Sequence, residues 1–144
     1  EAVGHDYLPI FFNKINELLV SSGKAVIQSI TINDKGYENY RKSTDWIQKH
    51  IFPGGHLPSV NIIKNIIKKT QLKLDNIDNI GPHYVKTLQH WKEEMLNKLD
   101  AIKTLGFDDI FIRKWLYYFE YSQAGFSTEN IKNHHFVFQK NDTH

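Results

Sequence analysis

A chain of 144 residues and 16.9 kDa, 40% apolar and 24% charged, has the size and composition of one globular domain, which excludes collagenous, low-complexity and largely disordered chains. Eighteen Lys and Arg against sixteen Asp and Glu leave a net charge of +2, too balanced for a nucleic-acid binder, whose affinity rests on many phosphate contacts. Cysteine is absent, which removes a disulfide framework, a thiolate zinc site and a cysteine nucleophile and is compatible with a reducing cytoplasm.

The first periodic stretch runs from Tyr7 to Val20, where Leu8, Phe11, Phe12, Ile15, Leu18 and Leu19 recur at three- and four-residue steps, as an amphipathic helix requires. Ser21-Ser22-Gly23 stops it. The β-branched run Ala25 to Ile32 then reads as a strand covered on both faces. Asn33 to Gly36 has the composition of a turn, and Tyr37 to Ile51 reads as one helix with Tyr40, Ile47 and Ile51 on one side. Two prolines and a glycine pair make Phe52 to Ser59 irregular, and Ser59 caps a helix from Val60 to Thr70. Leu72 to Ile77 alternates imperfectly, as a strand.

Gly81-Pro82 opens the longest predicted helix, His83 to Leu105, which Gly106 ends in a left-handed stop. Asp108 or Asp109 caps a second long helix to about Ala124, with Gly125 as its stop, and Asn133 to Gln139 reads as a buried strand before a polar tail from Lys140 to His144. Three strands interleaved with helices make an α/β layer domain rather than a helical bundle. No apolar run approaches the roughly eighteen residues needed to cross a bilayer. The chain opens on Glu1 rather than Met, and the natural protein is expected to start further upstream.

The histidines offer no metal-site spacing: His5, His50, His56, His83, His90 and His144 are scattered along the chain, and the adjacent pair His134-His135 points to opposite faces of a strand. Ile62 to Lys69 is a basic amphipathic stretch that fits either an anionic membrane surface or, the preferred reading, isoleucines packed on a sheet with lysines in water. The aromatic crowd from Trp115 to Phe126 lines a lipid channel or fills a core, and the core reading is preferred. Gly54-Gly55 sits in a proline-bounded loop, so it is no nucleotide fingerprint, and no nucleophile–base pair stands out.

Several strings together, in order and separation, resemble the C-terminal portion of cyclopropane-fatty-acyl-phospholipid synthases, which are S-adenosylmethionine-dependent methyltransferases. They are Glu1-Ala2-Val3-Gly4, Ala25 to Ile32, and above all Trp46 to Gly55 with Leu57-Pro58-Ser59. His83 to Leu88 with Trp91, Tyr117-Tyr118-Phe119, Ala124-Gly125-Phe126 and Val137-Phe138 complete the match. The resemblance covers essentially the whole chain. It implies the C-terminal half of a Rossmann-like class I methyltransferase sheet. The last of its three strands would lie antiparallel between the other two, inserted helices would cover an acyl pocket, and residues 1–144 would form a partial domain lacking the cofactor-binding half.

The family's chemistry passes a methyl group from the sulfonium to an alkene, and the resulting carbocation loses a proton as a ring closes. The resemblance gives the proton acceptor, a bicarbonate ion, to Glu1, Tyr84, the backbone of Ile30, and Gln28, which stands where many members place a histidine; Glu1, Gln28 and Tyr84 are the implied catalytic residues. A neutral amide can still donate to the anion but cannot titrate. No residue is assigned to the methyl donor. The implied partners are unsaturated phospholipid acyl chains, with cytoplasmic location and peripheral contact at the inner face of the membrane. Alone, the chain is expected to be catalytically incomplete, to bind neither S-adenosylmethionine nor bicarbonate, and to self-associate or pair with an N-terminal fragment along the open edge of its first strand; the alternative is a non-catalytic lipid-binding or interaction module.

Overall fold

The apolar periods of the sequence need something to pack against, and a computed structural model, which describes residues 1–141, supplies a three-stranded sheet as the middle layer. A 3₁₀ turn at His5–Tyr7 leads into α1 (Leu8–Leu18), followed by β1 (Lys24–Ile32), two short helices α2 (Tyr37–Tyr40) and α3 (Trp46–His50), α4 (Val60–Ile67) and β2 (Leu72–Asn79). Then come α5 (Gly81–Asn97), α6 (Leu99–Thr104), α7 (Asp109–Ser127) and β3 (Ile131–Lys140).

The strand order is β1-β3-β2, with β3 antiparallel to both neighbours, so the last strand is inserted between the other two as the resemblance implies. The register sets Gln28 opposite His135 and Ile30 opposite Asn133. A bulge between Leu74 and Asn76 accounts for the imperfect alternation read in β2: the extra residue puts Leu74 and Ile77 on one face, opposite Phe138 and Phe136.

Each face of the sheet carries its own core. On one, Leu8 and Phe12 of α1 and Ile63 and Ile67 of α4 close over Leu72, Phe136 and Phe138. Ile62 and Ile66 pack against the same cluster, so α4 spends its apolar side on the sheet while Lys64, Lys68 and Lys69 stay in water. On the other face, Leu88 of α5 and Phe119 and Phe126 of α7 form a second cluster with Ile30, Tyr84 and Ile131 against it.

Four expectations are corrected. Tyr37 to Ile51 is not one helix: Asp45 accepts from the Gln48 amide (2.7 Å) while the Gln48 side chain accepts from the Asp45 amide (2.8 Å), a capping box that starts α3 afresh. The stripe from His83 to Leu105 is likewise broken, at Lys98 (φ −117°, ψ 21°), into α5 and α6, although Gly106 does end it at φ +93°. Gly125 is no stop. It lies inside α7, where a Cβ would meet Ile131 Cγ1 at 3.1 Å, so its smallness lets β3 approach the helix. Finally, β1 is not covered on both faces: it lies at the sheet edge, Val26 is 66% exposed, and Gln28 is exposed too. The caps read at Ser59 and Asp108 are present, donating partners being the amides of Ile62 (3.3 Å) and Phe111 (2.8 Å).

Candidate active site

The second face of the sheet, α3, the Phe52–Leu57 loop and the α5–α7 pair enclose a cavity of about 530 Å³. Its walls are mostly apolar: Ile47, Ile51, Phe52, Leu57, Leu88 and Phe126. The proline- and glycine-punctuated loop cannot join a ladder, so it runs as a wall instead, held by the Gln48 side chain, which donates to the Gly55 carbonyl (2.7 Å). An apolar hollow of this size with a few polar groups at one end fits a hydrocarbon chain carrying a reactive centre.

Those polar groups include the residues predicted from sequence. Glu1, Ile30 and Tyr84 all line the cavity. The Glu1 carboxylate accepts from the Ile30 amide, which anchors it to the edge of β1. Gln28 does not line the cavity, but its Nε2 donates to the Tyr84 hydroxyl (2.8 Å) and its Oε1 accepts from His135 Nε2 (3.1 Å). Because the Tyr84 oxygen accepts from Gln28, its own proton remains to be donated elsewhere. Glu1 and Gln28 are exposed, so this end of the cavity meets solvent among the described residues.

The sequence reading missed other polar groups here. Tyr118 and Ser122, one turn apart on α7, share a hydrogen bond at the cavity wall, and burial raises the Tyr118 hydroxyl above its ordinary range. Tyr40 accepts from the Leu57 amide (3.2 Å) and is raised by burial as well. His56 lines the cavity and its Nε2 meets the Tyr37 hydroxyl (3.0 Å), whose other side meets His5 Nδ1 (2.6 Å). Burial first, then the charge of His5, lowers His56 below the usual imidazole value; burial pushes Tyr37 up to about 12. The i, i+4 pairing of Tyr118 and Ser122 was the one signal in the sequence for any of these groups. His134 and His135 diverge as read, His134 Nδ1 meeting Thr31 Oγ1 (3.0 Å) on the opposite face from Gln28. Among the described residues no group of three or more His, Asp or Glu side chains is placed to hold a metal ion, and no helix is long and apolar enough to cross a membrane.

A β1-β3-β2 arrangement, helices on both faces and a helical cover over an apolar cavity define the class as a portion of the class I methyltransferase fold. The family described as Mycolic acid cyclopropane synthetase matches residues 1–136, and the chain belongs to that family. It is 39% identical over 127 residues to tuberculostearic acid methyltransferase UfaA1 of Mycobacterium tuberculosis, covering 88% of this chain and 30% of that protein. The fold is similar to that of the cyclopropane synthase MmaA2 from Mycobacterium tuberculosis, with a TM-score of 0.84, 23% identity, and coverage of 97% of this chain and 52% of that one. It is similar as well to mycolic acid cyclopropane synthase CmaA1 complexed with SAH and CTAB (TM-score 0.84, 25% identity, 97% and 52% covered). The chain thus spans about a third of the length of the curated relatives it matches and about half of the solved chains.

Proposed function

We propose that this chain is the acyl-holding, proton-accepting part of an enzyme that transfers a methyl or methylene group from S-adenosylmethionine to unsaturated acyl chains of phospholipids. The observation that carries the reading is the convergence of Glu1, Ile30 and Tyr84 on one end of an apolar cavity, with Gln28 behind the tyrosine. The sulfonium donor supplies the methyl group, and bicarbonate, when bound, supplies the base that removes a proton as the ring closes.

The residues present fit a small oxyanion with one hydroxyl. Tyr84 has a hydroxyl proton to donate, Gln28 a second amide hydrogen, and the Glu1 carboxylate can accept from the anion's own hydroxyl. The Ile30 amide is engaged by Glu1, so its part is to fix the carboxylate rather than to reach the anion. Fixed dipoles at this end stabilise the cation that forms on the alkene, since they are oriented before charge develops. The apolar walls hold the acyl chain. A relative whose structure is complexed with both SAH and CTAB supports a fold that takes a nucleoside and an alkyl chain.

Two measurements test the reading. A fluorescent fatty acid should bind the chain with micromolar affinity and be displaced by cis-unsaturated phospholipid; failure of every acyl ligand to bind sinks it. Against the expectation from sequence that the chain alone binds no bicarbonate, the placement of Tyr84 and Glu1 leads us to expect that, with acyl ligand present, ¹³C-bicarbonate shows line broadening that weakens about tenfold in Tyr84→Phe and Glu1→Gln, the effect of one charge-assisted hydrogen bond. Broadening indifferent to both changes would remove the proposed base site. Among the described residues no strand–glycine turn–helix unit is placed to orient the donor, so S-adenosylmethionine alone should give no heat in calorimetry.

A further inference from the structure

The Gln28 side chain stands between two partners, and shape alone does not decide which way round it sits. A primary amide is nearly symmetric in outline, and its two ends differ in that the oxygen accepts and the nitrogen donates. Two proton arrangements therefore close the chain from Tyr84 through Gln28 to His135. In one, His135 Nε2 donates to Gln28 Oε1 (3.1 Å), Gln28 Nε2 donates to the Tyr84 hydroxyl (2.8 Å), and the hydroxyl proton is left for the cavity. In the other the amide is turned over: the Tyr84 hydroxyl donates to Oε1, Nε2 donates to a bare imidazole nitrogen, and Tyr84 has no proton left to give. The structure holds the first.

The imidazole selects between them. The β1–β3 register sets His135 directly opposite Gln28, so the ladder itself keeps the two side chains together. On its other side His135 faces Asp78 of β2, whose carboxylate accepts from Asn76 Nδ2 (2.7 Å), and Gln28 is the imidazole's hydrogen-bond partner among the described residues. The Tyr84 ring is held in place edge-on to Trp91 (6.5 Å) and at a tilt to Phe126 (5.4 Å). An imidazole with a proton on Nε2 cannot accept there, whether the ring is neutral or charged, so the turned-over amide would set two N–H donors against each other. His135 is half-buried and lies outside the cavity lining, so it touches neither acyl chain nor anion directly.

We propose that His135 is a positioning residue of this site: its Nε2 proton fixes which end of Gln28 meets Tyr84 and so directs the Tyr84 hydroxyl proton into the cavity. The use of that proton rests on the bicarbonate-site reading above, whereas the orientation of the amide stands on the hydrogen bonds alone. In the ¹⁵N-labelled chain, His135 Nε2 should give the signal of a proton-bearing ring nitrogen, and the Gln28 side-chain amide hydrogens should show a nuclear Overhauser contact to the Tyr84 ring. That contact should fall about threefold or more in His135→Phe, which keeps a planar ring and removes the donor, and return in His135→Gln, whose amide N–H can donate to the same oxygen. With acyl ligand present, ¹³C-bicarbonate broadening should follow the same order, weakened in His135→Phe and recovered in His135→Gln. Circular dichroism and fatty-acid displacement should match the parent in both variants, because His135 is no part of the cavity wall. A bare Nε2, a contact undiminished in His135→Phe, or equal loss in both variants overturns the positioning role, equal loss being what a merely structural histidine gives. Broadening absent from a parent chain that keeps the Overhauser contact would sink the bicarbonate site and leave the orientation of Gln28 by His135 standing.

Discussion

The Tyr37 hydroxyl, buried between His5 and His56, has one proton, so it donates to one imidazole and accepts from the other. If both imidazoles carried charge, both would donate to the oxygen and the hydroxyl proton would have no acceptor there. The clasp holds the N-terminal segment that carries Glu1 against the cavity loop, reinforced by the His56 amide donating to the Glu1 carbonyl (2.9 Å). Arg41 and His5 oppose protonation of His56 and Asp6 favours it, but burial is the largest influence and lowers the group. A histidine with a lowered folded pKa contributes stability that is present above its unfolded value of about 6.5 and is lost as pH falls through the folded value. His134, lowered by burial, acts in the same direction. Urea midpoints should therefore fall as pH drops from 7 towards 5, and His56→Gln should make that fall shallower; an unchanged slope would count against the clasp. Tyr37→Phe should cost about 1–3 kcal/mol at pH 7, the range for stranding buried polar partners. None of this clasp was legible in the sequence, because its members lie 32 and 19 residues apart and no local period joins them. Gln28 and Tyr84, 56 residues apart, were legible only through the family resemblance.

At the scale of elements, what could be read and what could not divide along physical lines. Strands and caps depend on local side-chain chemistry, so β1, β3 and the Ser59 and Asp108 caps followed from the sequence. The break before α3 depends on Asp45 and Gln48 bonding reciprocally, a motif that the apolar spacing of Tyr40, Ile47 and Ile51 overrode. The break at Lys98 carries no glycine or proline to announce it. Gly125 has the composition of a stop but serves as a contact, a distinction that only the position of Ile131 settles. One element carries an unresolved internal conflict: Asn133 on β3 is fully buried, and neither its Nδ2 nor its Oδ1 has a hydrogen-bond partner, although its backbone carbonyl accepts from Ile80 (2.8 Å). An unsatisfied buried amide costs about 1–3 kcal/mol, and a β-branched replacement suits a central strand. Asn133→Val should therefore raise stability by about 1 kcal/mol or more, read as a higher urea midpoint at constant slope; a lower midpoint would mean that the amide is satisfied in solution.

The molecule as a whole is two cores on the two faces of one sheet, and the sheet's weak point is the outer edge of β1. Part of that edge is closed: the Ile30 amide donates to the Glu1 carboxylate and the Ile32 amide to the Pro58 carbonyl (3.1 Å), where a single parallel bridge joins Ile32 to Ser59. Strand residues two apart point their backbone groups the same way, so the amides of Gln28 and Val26 face outward as well, and no strand pairs with them among the described residues. Lys24 at the near end reaches across β3 to Asp75 (2.9 Å), away from this edge, and Val26 presents an exposed β-branched side chain beside an open ladder, the arrangement that recruits another strand. The edge that makes the cavity's polar end accessible is therefore expected to bring copies of the chain together. Light scattering should show mass rising with concentration, and Val26→Lys, which puts a charge on an exposed position, should return the chain to a monomer with its circular dichroism intact. A chain monomeric over a wide concentration range would mean that the edge is masked in solution, and Val26→Lys would then have no association to relieve.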